Sequence, residues 1–196
     1  VLGSSASFAG PGQACAGYLI TTEGASVLAD CGNGTIANLG RIADPTQLDA
    51  VFLTHHHTDH YCDLYCLQAA LRYAPQGPAA PVMGHAPAGL MERIASPLGD
   101  HGRVELSEAF IDRLMVPGAP VVVGDLIVTP HAVEHVNPCY GLMIESGSGS
   151  LFYTADSRYT QSLMDAASGA DVLLAEATLP ARYAGRAPHM TAEEAG

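Results

Sequence analysis

The 196-residue chain, 48% hydrophobic and 14% charged, suits a single globular domain over residues 1–196 with a substantial core. Its 20 acidic against 8 basic residues, a net charge of −12, supply no Lys/Arg stripe. That disfavours extended nucleic-acid binding while leaving room for a short polyanion docked onto metal ions.

No uninterrupted apolar run is long enough to span a membrane, and "VLGSSASF" lacks the basic start and apolar core of a secretory signal. Five cysteines (Cys15, Cys31, Cys62, Cys66, Cys139) are an odd count in a chain too large to need staples, which favours a reducing cytoplasm. Cys62 and Cys66 share a face if helical. Small buried side chains are preferred there over a zinc pair.

In chain order, "AGYLITTEGASVLADCG" reads as a hairpin of two apolar strands around a Glu-Gly turn. "NGTIANLGRIADPTQL" gives a short helix closed before Pro45. "DAVFLTH" is a short core strand, and "DLYCLQAALRYA" has helical spacing up to "PQGP". "APVMGHAP" is a further strand and "AGLMERIASPL" a helix, whereas residues 100–120 show no clear period. "PVVVGDLIVTPHAVEH" and "YGLMIESGSGSLFYTAD" are strands joined by Gly-containing turns. "TQSLMDAASGA" is a helix, "DVLLAEAT" a buried strand, and "HMTAEEAG" the opening turn of a helix that Thr191 or a neighbour could cap. The missing initiator Met and this last turn lead to the expectation of a sequence incomplete at both ends, more so at the C-terminus. Strands that come in pairs and then alternate with helices favour a layered α/β or α+β domain.

Four of the nine histidines fall in "THHHTDH", directly after an apolar strand. His55 and His57 lie two apart, so in an extended segment they point the same way and could share an ion. Asp59 and His60 follow at a turn and could reach a second. Imidazole nitrogen with carboxylate oxygen is a ligand set for zinc, or for manganese or iron. The plain alternative, a solvated His-rich loop, suits one histidine better than four in this pattern.

His135 in "VEHVNPCYG" is the best third imidazole, with His131 competing. Asp156, ending the strand "LFYTAD", could bridge two ions, or merely form a turn. Glu176 is an acid at the tip of the apolar run "VLLAEAT", costly to bury without a partner. His189 precedes the last helix start. If the two hydrogen-bond, the carboxylate orients the imidazole as a general acid requires; an ion pair or a cap is the alternative for each. There is no P-loop, no Rossmann glycine fingerprint and no G-x-S-x-G elbow.

"HHHTDH" fits the H-x-H-x-D-H signature of the metallo-β-lactamase superfamily, and the chain most resembles its ribonuclease Z-like phosphodiesterases. "LGSSASFAGPG" looks like their opening loop and "LADCGNGT" is similar to their D-C-G-x-G-T turn. "HVNPCYG", "YTADS" and "AEAT" with "HMT" resemble their later motifs. The resemblance implies a four-layered αββα sandwich, here lacking its C-terminal strand and helix, with two divalent cations, zinc ahead of manganese or iron. His55, His57 and His135 would hold one cation, Asp59 and His60 the other, and Asp156 would bridge them. Asp59, His189 and Glu176 would form the catalytic set, with an activated hydroxide attacking phosphorus.

The family places one more ligand histidine past the His-x-Thr motif, beyond Gly196. Its tRNA-processing members also carry a long arm between the third-motif histidine and the bridging aspartate, which in this chain lie 21 residues apart, enough for a hairpin. The expected activity is therefore hydrolysis of a small phosphodiester, a cyclic nucleotide first, by a cytoplasmic enzyme that could be a homodimer. The alternatives are tRNA 3′-end processing, hydrolysis of a lactone, thioester or lactam, and a metal-binding module without catalysis.

Overall fold

A computed structural model describes residues 1–135 and 138–196, so the Val136–Asn137 part of "HVNPCYG" lies outside the described residues. The chain divides into two compact units, Val1–Leu114 and Met115–Gly196.

The first unit is built on a five-stranded sheet whose strands lie in chain order: β1 (Tyr18–Thr21), β2 (Ser26–Ala29), β3 (Ala50–Phe52), β4 (Val82–Ala86) and β5 (Phe110–Leu114). β1 and β2 form the expected hairpin, its turn held by Thr22, whose hydroxyl accepts from the backbone N–H groups of Gly24 and Ala25. β2 through β5 run parallel, which requires crossovers. These carry α1 (Thr35–Leu39), α2 (Leu64–Tyr73), α3 (Leu90–Ala95) and α4 (Asp100–Ala109).

Helical spacing puts Leu64, Leu67 and Leu71 of α2 on one stripe. With Leu90 and Ile94 of α3 and Leu106 of α4, they pack against Leu28, Val51 and Val82 of the sheet to form the main core. α4 and β5 fill the stretch whose period was unreadable. Only Leu106 and Ala109 of α4 are buried, too few apolar positions to mark a stripe.

The second unit holds a five-stranded sheet in the order β10-β9-β8-β7-β6. The strands are β6 (Val121–Val123), β7 (Leu126–Ala132), β8 (Tyr140–Ser146), β9 (Gly149–Tyr153) and β10 (Val172–Leu174). β6 to β9 form an antiparallel meander, and β10 adds parallel to β9 after α5 (Gln161–Ala167). Phe152, Leu163 and Met190 make the centre of its smaller core. The β8–β9 hairpin occupies the interval between His135 and Asp156, as its length led us to expect.

One expectation is corrected. "DVLLAEAT" does not give a buried strand: Val172 is 56% and Leu173 49% exposed. β10 is an edge strand, and Leu173 opens onto an apolar groove with Leu163, Met164 and Met190. An apolar run marks burial only where another element packs on it. α6 (Ala192–Ala195) starts at Thr191 in a full capping box with Glu194, as anticipated. Among the described residues no helix is long and apolar enough to cross a membrane.

Candidate metal centre

In the first unit the histidine run leaves the C-terminal end of β3, where a parallel sheet delivers its loops to one edge. His57 is extended (φ −78°, ψ 139°), and Thr58–His60 close a single 3-10 turn. His55 and His57 point the same way, their ring centroids 4.8 Å apart, and the His55 and His60 rings lie 4.1 Å apart. Asp59 Oδ2 sits 3.7 Å from His60 Nε2. His56, at the variable position, takes no place in this set. It hydrogen-bonds the backbone of Ala88, and burial holds its pKa below the usual value.

The sequence reading missed the supports beneath these rings. Asp30, fully buried at the end of β2, accepts from the Thr54 backbone N–H (2.8 Å) and from His60 Nδ1 (2.7 Å). Thr54 Oγ1 lies 2.9 Å from Asp30 Oδ2 and 3.0 Å from His55 Nδ1. The loop is locked by its backbone too: Asp30 N–H donates to Phe52 O, and Cys31 N–H donates to His60 O. Gly32 lies against this turn so closely that a Cβ would come within 1.9 Å of Asp59 O. The motif "LADCGNGT" thus packs its backbone directly onto the His/Asp turn. The available signal was an aspartate and glycines after a strand, a pattern shared with ordinary turns.

In the second unit, His135 Nδ1 is 3.0 Å from Pro188 O, so the ring donates there, and its Nε2 is 3.8 Å from Asp156 Oδ2. Asp156 follows Ala155, a buried non-glycine residue at φ 52°. Left-handed backbone of that kind persists where surrounding contacts enforce it. Glu176 is held from three sides: Oε1 accepts from Ser157 N–H (2.8 Å) and His189 Nδ1 (2.9 Å), and Oε2 accepts from Thr178 N–H (3.1 Å). The expected Glu176–His189 pair is therefore present. Ligand atoms of Asp156, Glu176 and His189 all lie within 4.8 Å of one another, and the His135 and His189 rings are 4.9 Å apart. His131, the alternative to His135, sits in β7 with its ring against Phe152.

The preference for two small buried thiols at Cys62 and Cys66 is overturned. Cys62 precedes α2 in a turn and Cys66 is exposed on the helix. Neither belongs to a group of candidate ligands among the described residues.

Nitrogen and oxygen donors of this kind suit a borderline divalent cation. His55, His60, His135 and His189 each have Nδ1 beside an oxygen partner, which leaves Nε2 to face a metal, the arrangement common to ligating histidines.

A family model described as the beta-lactamase superfamily domain matches residues 25–196. An uncharacterized protein of Mycobacterium leprae is 36% identical over 182 residues, covering 91% of this chain and 64% of that protein. The chain thus spans less than two thirds of that relative's length. The probable metallo-hydrolase YhfI of Bacillus subtilis is 30% identical over 201 residues, covering 100% of this chain and 79% of its own. The crystal structure of that metallo-beta-lactamase fold protein matches with a TM-score of 0.86 at 28% identity, covering 99% of this chain and 76% of that one. Human tRNase Z, short form, matches in fold with a TM-score of 0.82 at 21% identity, over 98% of this chain and 83% of that one.

Proposed function

Because this chain belongs to the beta-lactamase superfamily, we propose that it works as a divalent-metal-dependent hydrolase of a small phosphodiester, with cyclic nucleotides the first class to try. The mixed α/β fold expected from the sequence is the fold of the family. The first unit's His55, His57, Asp59 and His60 and the second unit's His135 and Asp156 are the proposed ligands, for two ions, zinc before manganese or iron. Cations held by such ligands supply hydroxide from water near neutral pH and offset charge on phosphoryl oxygens.

The observation that carries the phosphodiester reading is the Glu176–His189 pair beside Asp156. His189 Nδ1 is committed to Glu176, so proton traffic at this ring runs through Nε2. Glu176 fixes the direction of the ring, and its backbone donors at Ser157 and Thr178 keep the carboxylate from swinging away. At 21% side-chain exposure, His189 is open enough to meet a ligand and sheltered enough to hold one orientation. A ring held in this way can deliver a proton to a leaving alkoxide, the step that phosphodiester cleavage needs.

The likeness in fold to human tRNase Z supports tRNA 3′-end cleavage as the second reading. The net charge of −12 and the short β8–β9 hairpin weigh against it.

Hydrolysis of bis-p-nitrophenyl phosphate by metal-loaded protein tests the class. Activity should vanish with chelator and in His57→Ala. No activity in fully metal-loaded protein would leave only a binding module. A panel of 2′,3′- and 3′,5′-cyclic nucleotides set against a tRNA precursor then separates the two substrates.

A further inference from the structure

We infer that Asp30 is a positioning residue that sets the tautomers of two histidines at once, His60 directly and His55 through the Thr54 hydroxyl. The inference rests on the reading of His55 and His60 as ligands, and deepens it by naming what prepares them.

A carboxylate only accepts, so a hydroxyl 2.9 Å from Asp30 Oδ2 and 3.0 Å from Oδ1 must point its hydrogen at Asp30. Thr54 has one such hydrogen. Its oxygen can then meet His55 Nδ1, 3.0 Å away, only as an acceptor, which puts a hydrogen on Nδ1. His60 Nδ1, 2.7 Å from Asp30 Oδ2, must donate for the same reason. Both rings therefore carry Nδ1–H and turn an Nε2 lone pair outward, the form a metal ligand needs.

A free histidine side chain favours the other tautomer, with hydrogen on Nε2. Asp30 and Thr54 thus hold both rings against their intrinsic preference. A second, independent observation fits. Asp30 adopts φ 56°, in the left-handed region that a non-glycine residue enters at a cost of order 1 kcal/mol or more. It is fully buried and tied by backbone to Phe52. The strained backbone brings one carboxylate within reach of Thr54 and His60 together.

The alternative is that Asp30 merely fastens the end of β2 to the end of β3. The two readings separate at Thr54. Thr54→Val keeps the shape and the backbone N–H bond to Asp30 and removes only the relay; Thr54→Ser restores the hydroxyl. Long-range 15N–1H imidazole spectra of the metal-free full chain, at a pH where the rings are neutral, read each tautomer separately.

Wild type should show Nδ1–H at both His55 and His60. Thr54→Val should raise the Nε2–H fraction of His55 at least tenfold and leave His60 unchanged. Thr54→Ser should restore His55, and Asp30→Asn should disturb both rings. Cobalt(II) titration should then show affinity about 10-fold or more weaker in Thr54→Val, the range typical of lost support behind a ligand. A wild-type His55 carrying its hydrogen on Nε2, or a His55 tautomer indifferent to Thr54→Val, overturns the proposal, whatever metal binding shows. Correct tautomers in a wild type that binds no cobalt would instead overturn the metal reading.

Discussion

Glu176 and His189 lie 13 positions apart and end as a 2.9 Å pair because β10 and the turn before α6 bring them together. Their roles make a separable prediction. His189→Ala should lower kcat on a phosphodiester by about 10²–10⁴-fold, the range for loss of a positioned general acid, while bound metal stays at the wild-type level. Loss of metal with activity would make His189 a ligand; unchanged kcat would remove it from catalysis.

Both residues were legible through the resemblance of "AEAT" and "HMT" to motifs of the family. Asp30 and Thr54 were not. An aspartate after a strand and a threonine before histidines look like turn chemistry, and only the fold reveals that one carboxylate serves three donors.

At the level of elements, the parallel register of β3 and β4 sets Phe52 opposite His85, and the rings stack at 4.6 Å and 9°. Register between β4 and β5 sets Arg113 opposite His85 on the other side. Burial, and then the Arg113 charge, push the His85 pKa below its ordinary 6.5. The native state keeps this ring neutral where the unfolded chain binds a proton. Stability is therefore complete above about pH 6.5 and falls as pH drops from there to the lowered native value, with no further loss below it.

His85→Phe should keep the stack and flatten that acid-side fall. The check is the urea midpoint followed downward from pH 7; an identical slope in the variant would contradict the assignment. The hairpin β1–β2, the strand β3, helix α2 and the β6–β9 meander were readable from period and turn residues. α4 and β5 were not, because α4 buries few apolar positions and β5 runs from a buried Phe110 to exposed Asp112, Arg113 and Leu114 without alternating. β10 misled for the opposite reason, being apolar yet on an edge.

For the whole chain, each unit contributes a different part of the proposed chemistry. The first carries a set of imidazoles braced from below, and the second carries carboxylates with an oriented imidazole. The signature "HHHTDH" was enough to nominate the first set, His55, His57, Asp59 and His60, by its fit to H-x-H-x-D-H. Residue by residue, the second set was legible only as acids and histidines near strand ends, joined by the resemblance alone, because contacts across dozens of positions depend on sheet order. Net charge says little of the fold but bears on substrate, since a surface at −12 repels a long polyanion and leaves a small one to be captured by cations.

The central claim is that residues of both units are metal ligands. Competition of the full chain against a chromophoric chelator for zinc or cobalt, in wild type, His57→Ala and Asp156→Asn, measures it most directly. We predict tight binding in wild type and affinity at least about tenfold weaker in each variant. Wild-type affinity and stoichiometry in either variant would contradict the account.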